Sequence, residues 1–160
     1  MKKSFEYIIK ISETEFYDKL KNHTAFNCRS SSYDNGYEFY CDNPKNITDL
    51  KVTSTSLLSR EGILAPLIKI QTKQLDENLK VNLTLQSNKI YYFLAVLFSL
   101  AGVLFGLITY FSLANLCLAI IISIVFILII NLVFFIIAKS KITDAKERFE
   151  SVMIFNGHYC

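Results

Sequence analysis

The pattern of apolar and polar positions divides the chain into three parts. Residues 1–89 mix short apolar runs with polar residues, residues 90–138 contain no Asp, Glu, Lys, Arg or His, and residues 139–160 are charged again. The uncharged stretch is about twice as long as the roughly 20 helical residues that cross a bilayer core. The pattern therefore predicts a polar N-terminal domain at residues 1–88, followed in sequence by two membrane-spanning helices.

The uncharged stretch has to reverse near its middle, where residues 112–115 (Ser-Leu-Ala-Asn) are its most polar short segment. We predict a first helix at about 90–112 and a second at about 116–138. The second holds 18 Leu, Ile, Val or Phe among its 23 residues, which far outweigh one Asn in membrane insertion. An open strand edge cannot be satisfied in lipid, so helices are expected despite the β-branched content.

The flanking charges predict the orientation of this helical hairpin. Lys89 precedes the first helix, while Lys139, Lys141, Lys146 and Arg148 follow the second. The connecting turn has no charge. Because basic flanks stay inside, we expect a multi-pass protein of the inner membrane with both termini in the cytoplasm.

The N-terminal domain shows strand and helix signals in turn. Apolar residues alternate with others from Phe5 to Ile11, which predicts a strand. Ser12 and Glu15 form a capping box for a helix that runs to about Lys21 and buries its residues at positions 16 and 20.

Further strands are predicted on the far side of a loop at 22–36. They are expected at 37–41, at 50–57, and in a hairpin of 67–72 and 79–85 whose turn is 76–78. The fold class that follows is α+β: a small antiparallel sheet with one short helix, then a two-helix transmembrane hairpin and a C-terminal helix.

The charged tail at 139–160 predicts a third helix, from Lys139 to Phe155. Its apolar residues fall on one face at helical spacing; they are Ile142, Ala145, Phe149, Val152 and Met153. This amphipathic tail can dock on the N-terminal sheet or lie on the lipid surface. We favour docking on the sheet.

Small residues recur at spacings of 4, 3, 4 and 3 along the first membrane helix. They are Ala95, Ser99, Gly102, Gly106 and Thr109. Such a transmembrane packing seam lets two helix backbones approach closely. We favour packing against the second helix of the same chain, with a homo-oligomer as the alternative.

Asn131 is the one strongly polar side chain deep in the second helix. It lies eight residues before Lys139, and Ser99 lies ten residues after Lys89, so an antiparallel hairpin puts the two at similar depth. We predict that Asn131 and Ser99 face one another or share an inward-facing polar spot. An intramembrane polar residue can also mark an ion or substrate path. We favour this hypothesis less for Asn131.

The remaining composition excludes several classes of function. Residues 1–88 carry 12 basic and 11 acidic residues without a basic stripe, so no nucleic acid is expected as a partner. The motifs of hydrolases, nucleotide-binding enzymes and zinc proteases are absent, and the four cysteines lack metal-site spacing. His23 and Cys28 form at best a weak thiol–imidazole pair. No catalytic residue, cofactor or metal is therefore expected. Because Glu6 and Lys10 interrupt the first apolar run, we also do not expect a signal peptide there.

The layout resembles a set of small bacterial membrane proteins of unknown activity, which join a strand–helix–strands domain to two closing hydrophobic helices. The resemblance is carried by residues 5–20, by the hairpin 67–86 with Gly62 and Pro66 before it, and by the span 90–138. It implies no activity.

Two functions are consistent with the sequence. The first is a non-enzymatic binding module that is anchored in the lipid bilayer and engages a protein partner or ligand. The alternative is a component of an oligomeric pore or transporter, assembled through the small-residue seam.

Overall fold

The computed structural model describes residues 1–26, 38–41, 48–52, 65–113 and 115–154, with the backbone alone at residues 49–52 and 113. The chain forms two compact units. We call them the sheet unit, which is Met1–Asn88 with the residues from Lys141 on, and the hairpin unit, which is Lys89–Ser140. The fold class is α+β, as predicted.

The sheet unit is built on six strands and one short helix. In chain order they are β1 (Lys2–Ile9), α1 (Glu13–Asn22), β2 (Thr24–Phe26), β3 (Phe39–Cys41), β4 (Asp49–Val52), β5 (Leu67–Leu75) and β6 (Asn78–Gln86). The sheet order is β1-β6-β5-β4-β3-β2. All neighbouring strands are antiparallel except β2 and β3, which are parallel.

Alternation in β6 and β1 produces the two faces of the sheet. Four alternate residues of β6 are buried, namely Leu79, Val81, Leu83 and Leu85. In β1 the predicted face is the more buried one, and Ile8 on the opposite face is 64% exposed. The predicted inward packing of Phe16 and Leu20 is confirmed, because both are fully buried. Helix α1 begins as predicted, with the Ser12 hydroxyl accepting from the Glu15 backbone N–H at 3.2 Å.

Several sequence-based boundaries need correction. The first strand, predicted from Phe5 to Ile11, spans Lys2–Ile9. The loop predicted at 22–36 includes the last residue of α1 and strand β2, which forms because it pairs with β3. The strand predicted at 50–57 starts at Asp49 and is described to Val52, and residues 53–57 lie outside the described residues. The β5–β6 turn is shorter than predicted, because Asn78 pairs with Leu75.

Two long apolar helices make up most of the hairpin unit. Helix α2 spans Ile90–Leu113, and helix α3 spans Leu116–Phe149. The first turn of α3 is capped by Asn115, whose Oδ1 accepts from the Leu118 N–H at 3.1 Å. Helix α3 passes without a break from the hairpin unit into the sheet unit at residues 140–141.

The end of α3 and a π-helical turn at Glu150–Ile154 supply the C-terminal helix that the sequence predicts. We call Lys141–Ile154 the docked segment. Its five predicted apolar residues (Ile142, Ala145, Phe149, Val152 and Met153) are all buried and share one core with the sheet and α1. The predicted docking on the sheet is therefore confirmed. Phe155 lies outside the described residues.

Candidate functional site in the hairpin unit

Gly102 and Gly106 of α2 lie directly against α3. A Cβ atom placed on Gly102 would come within 2.8 Å of the Phe126 ring and 3.1 Å of Ile127. One placed on Gly106 would collide with the Ser123 hydroxyl and lie 3.2 Å from the Ala119 carbonyl oxygen. Glycine is thus what permits this close approach, and the helix approached belongs to the same chain.

The other small residues that the sequence singled out have hydrogen bonds within α2. The Ser99 hydroxyl donates to the Ala95 carbonyl at 2.7 Å, and the Thr109 hydroxyl donates to the Phe105 carbonyl at 2.9 Å. Each bond satisfies a polar side chain without water, as an apolar environment requires. Ala95, Ser99 and Thr109 are half-buried, whereas most of the large residues of α2 are exposed.

Asn131 contacts Ser99, as the depth count predicts. The Asn131 Nδ2 group donates to the Ser99 hydroxyl at 3.1 Å and to the Ile127 carbonyl at 2.8 Å. The Ser99 hydroxyl therefore accepts from α3 while it donates to Ala95 on α2. These bonds tie the two helices together near the middle of their apolar length.

Ser123 is a contact residue of the hairpin that the sequence analysis did not predict. Its hydroxyl donates to the Ala119 carbonyl at 2.9 Å and lies where a side chain at Gly106 would be. A signal was present in the sequence, because Ser123 precedes Asn131 by eight residues in an otherwise apolar helix. Aromatic rings also join the helices, with centroids 5.7 Å apart for Phe98 and Phe134.

The docked segment of the sheet unit is fastened to β1 by a small polar cluster. The Tyr7 hydroxyl donates to Glu150 Oε1 at 3.0 Å, and Lys146 Nζ lies 2.9 Å from Glu150 Oε2. The Lys146 ammonium also lies 5.3 Å from the centroid of the Phe5 ring. Burial raises the pKa of Tyr7 well above its usual value, and the hydrogen bond to Glu150 and the charge of that carboxylate raise it further.

The part of the chain that the structure describes contains no candidate metal-binding site. Within those residues, no group of three His, Cys, Asp or Glu side chains lies close enough to hold an ion. His23 ends helix α1 as its C-cap, and Cys28 of the weak thiol–imidazole pair lies outside the described residues.

No known protein family, curated protein or solved structure matches this chain. Its class is therefore defined by its own fold, an α+β sheet unit joined to two helices that are long and apolar enough to cross a membrane. The seam of α2, with Asn131 and Ser123 of α3, is the candidate site of the hairpin unit.

Proposed function

We propose that this chain is an integral membrane protein whose hairpin unit crosses the bilayer twice, and whose sheet unit acts as a non-enzymatic binding module at that membrane. The location that we propose is the inner membrane of a bacterial cell, with both termini in the cytoplasm. This is also the arrangement expected if the chain is one of the small bacterial proteins with two membrane helices that it resembles.

The observation that carries the proposal is the exposure of the apolar helices. Between residues 92 and 137, 26 large hydrophobic side chains are exposed, whereas the rest of the described chain exposes two, Ile8 and Leu75. Only 11% of the most apolar stretch of α2 is buried, and none of that of α3. The core helix of a soluble protein would be mostly buried, so lipid is the covering that fits these two helices best.

The polar groups of the hairpin unit are consistent with this environment. A helix satisfies its backbone groups internally, and the side chains of Ser99, Thr109 and Ser123 each donate to a carbonyl four residues earlier in their own helix. The positive charges of Lys89, Lys139 and Lys141 flank the apolar stretches, which supports cytoplasmic ends.

The binding role is assigned to the face of the sheet that is opposite the core. Much of this face is polar, with exposed Gln71 and Lys73 on β5, and it also carries the exposed Ile8 of β1 and Leu75 of β5. An ion pair of 2.8 Å between Lys80 and Glu6 joins β6 to β1 on this face. A largely polar sheet surface suits recognition of a partner protein, because polar contacts can be made there without reorganising the core.

The alternative of a pore built through the small-residue seam has less support. Gly102 and Gly106 are already covered by Phe126, Ser123 and Ala119 of their own chain. An assembly through that seam would have to open the hairpin first.

The membrane proposal is tested by fractionation and by labelling of intact cells. We expect the chain to stay in the membrane pellet after a wash with alkaline carbonate and to dissolve only in detergent. In a background without native cysteines, Ser112→Cys should react with an impermeant thiol reagent from outside, and Lys21→Cys and Glu147→Cys should not. Release by carbonate would overturn the membrane proposal, and external labelling of Lys21→Cys would overturn the orientation.

The binding proposal is tested by affinity capture from detergent-solubilised membranes. We expect a partner to be retained by the wild type and lost with the double variant Gln71→Glu and Lys73→Glu. Glu147→Lys, an exposed change on α3, is the matched control and should retain the partner. Equal capture by all three proteins would contradict a role for this face of the sheet.

A further inference from the structure

The hydrogen bonds of Asn131 show which side of its amide is the Nδ2 group and which is the Oδ1 atom. The Ile127 carbonyl can only accept, and the Ser99 hydroxyl already donates to Ala95, so both contacts require the Nδ2 group of Asn131. The Oδ1 atom therefore points away from these partners. No residue that the structure describes donates a hydrogen bond to it.

This acceptor lies on an exposed part of the apolar helix α3. Asn131 is exposed, and residues four and seven positions away on the same side, Phe135 and Ile124, are 56% and 52% exposed. If α3 crosses a bilayer, as proposed above, no water is available at this depth to satisfy the amide oxygen. An unsatisfied carbonyl in an apolar medium is costly, so a donor from outside the chain is expected.

Asn131 belongs to an exposed stripe along α3 with the spacing of a coiled coil. We call it the outer stripe, and its members are Cys117, Ile121, Ile124, Leu128, Asn131 and Phe135. Their spacings are 4, 3, 4, 3 and 4, and all six side chains are exposed. At 100° per residue the stripe lies about 120° around the helix from the seam that packs on α2. Apart from Asn131, which also donates to Ser99 of α2, the stripe is therefore a second face, distinct from the intramolecular one.

We propose that two copies of this chain pair in the membrane through the outer stripes of their α3 helices, with Asn131 of one copy bonded to Asn131 of the other. The inference rests on the proposed membrane insertion. All copies then cross the bilayer in the same direction, so their α3 helices are parallel and equal depths meet. A single Asn in an apolar heptad stripe is the feature that fixes register and oligomeric state in parallel coiled coils.

The amide pair is compatible with the bonds already present. In an α-helix the Ile127 carbonyl also accepts from the backbone N–H of residue 131, so the side-chain bond to it is an additional one. The Nδ2 hydrogen that now goes to Ile127 can therefore turn to the Oδ1 atom of the second copy. The bond to Ser99 stays in place, and each amide oxygen acquires the donor it lacks.

Cys117 provides a direct test, because it lies two heptads before Asn131 on the same stripe. The register that joins the two Asn131 side chains also brings the two Cys117 side chains together. In membranes of a Cys28→Ser, Cys160→Ser background, oxidation with copper phenanthroline should give a disulfide-linked dimer. Cys41 is buried in the sheet unit and is left unchanged.

Matched variants separate the stripe from other causes of crosslinking. Moving the thiol by one residue with Cys117→Ser and Leu118→Cys keeps its depth and turns it about 100° around the helix, which should abolish the dimer. Asn131→Val should weaken dimerisation by roughly 3- to 20-fold, the range expected for an interhelical polar contact. Ser99→Ala removes the bond between α2 and Asn131 and keeps the Asn131 side chain, so it should leave the dimer intact.

The possible outcomes are distinct. No dimer at Cys117, an equal dimer at Leu118→Cys, or no effect of Asn131→Val in chains that sediment with the membrane would overturn the pairing and leave the proposed function standing. Failure of the same chains to sediment with the membrane would overturn the proposed function itself, and the pairing with it.

Discussion

Truncation of Phe149 should destabilise the sheet unit strongly. The Phe149 side chain is fully buried in the docked segment, and its ring centroid lies 6.2 Å from the rings of both Tyr7 on β1 and Phe39 on β3. Replacing a buried Phe by Ala costs about 3–5 kcal/mol, since the transfer free energy of the ring is lost and a cavity remains. This is a large share of the roughly 5–15 kcal/mol that stabilises a typical domain.

Hydrogen exchange of the full chain in detergent micelles measures this cost at the sheet. Amides of the central strand β6 should exchange roughly 100- to 4,000-fold faster in Phe149→Ala than in the wild type, because each 1.4 kcal/mol is a factor of ten. Glu147→Ala, an exposed change two residues earlier on the same helix, should leave the rates within a few-fold. A change of less than tenfold in Phe149→Ala would refute the reasoning, because the docked segment would then contribute little to the core.

Two further predictions concern the hairpin and the Tyr7 cluster. Gly106→Ala should destabilise the closed hairpin by about 1–3 kcal/mol, because the new methyl group collides with the Ser123 hydroxyl. A change in electrophoretic mobility in SDS should report the opening of the hairpin. Adding Ser123→Gly should restore the wild-type mobility. The raised pKa of Tyr7 predicts a contribution to the stability of the sheet unit that is present below about pH 10 and lost as the pH rises further, since the folded state resists ionisation more than the unfolded one. Tyr7→Phe should therefore lose stability less steeply above pH 10 than the wild type in thermal unfolding, and equal slopes would contradict this account.

Local patterns were sufficient where the forces that shape an element act between neighbours in sequence. The alternation of β6 predicts its buried face because successive side chains of a strand point to opposite sides. Ser12 predicts the start of α1 because its hydroxyl caps an amide only three residues away. The absence of charge over 49 residues predicts two long apolar helices, and it does so independently of any partner.

Features that depend on distant residues escaped the sequence pattern. Strand β2 has only three residues and exists because it pairs in parallel with β3, thirteen or more residues further on. The contact of Asn131 with Ser99 was predicted from depth, but the position of Ser123 against Gly106 was not, because it depends on the rotation of each helix about its axis.

The sequence by itself determined the α+β class, the reversal between the two apolar helices, and the apolar face of the C-terminal helix. All three depend on periodicity and composition, which are local properties of the chain. Only the tertiary structure decided what that apolar face covers. The sheet rather than a lipid surface receives Phe149, because β1 and β3 place Tyr7 and Phe39 beside it and Glu150 finds the Tyr7 hydroxyl. Such a choice depends on complementary surfaces formed by residues more than 100 positions apart, and no local pattern carries that information.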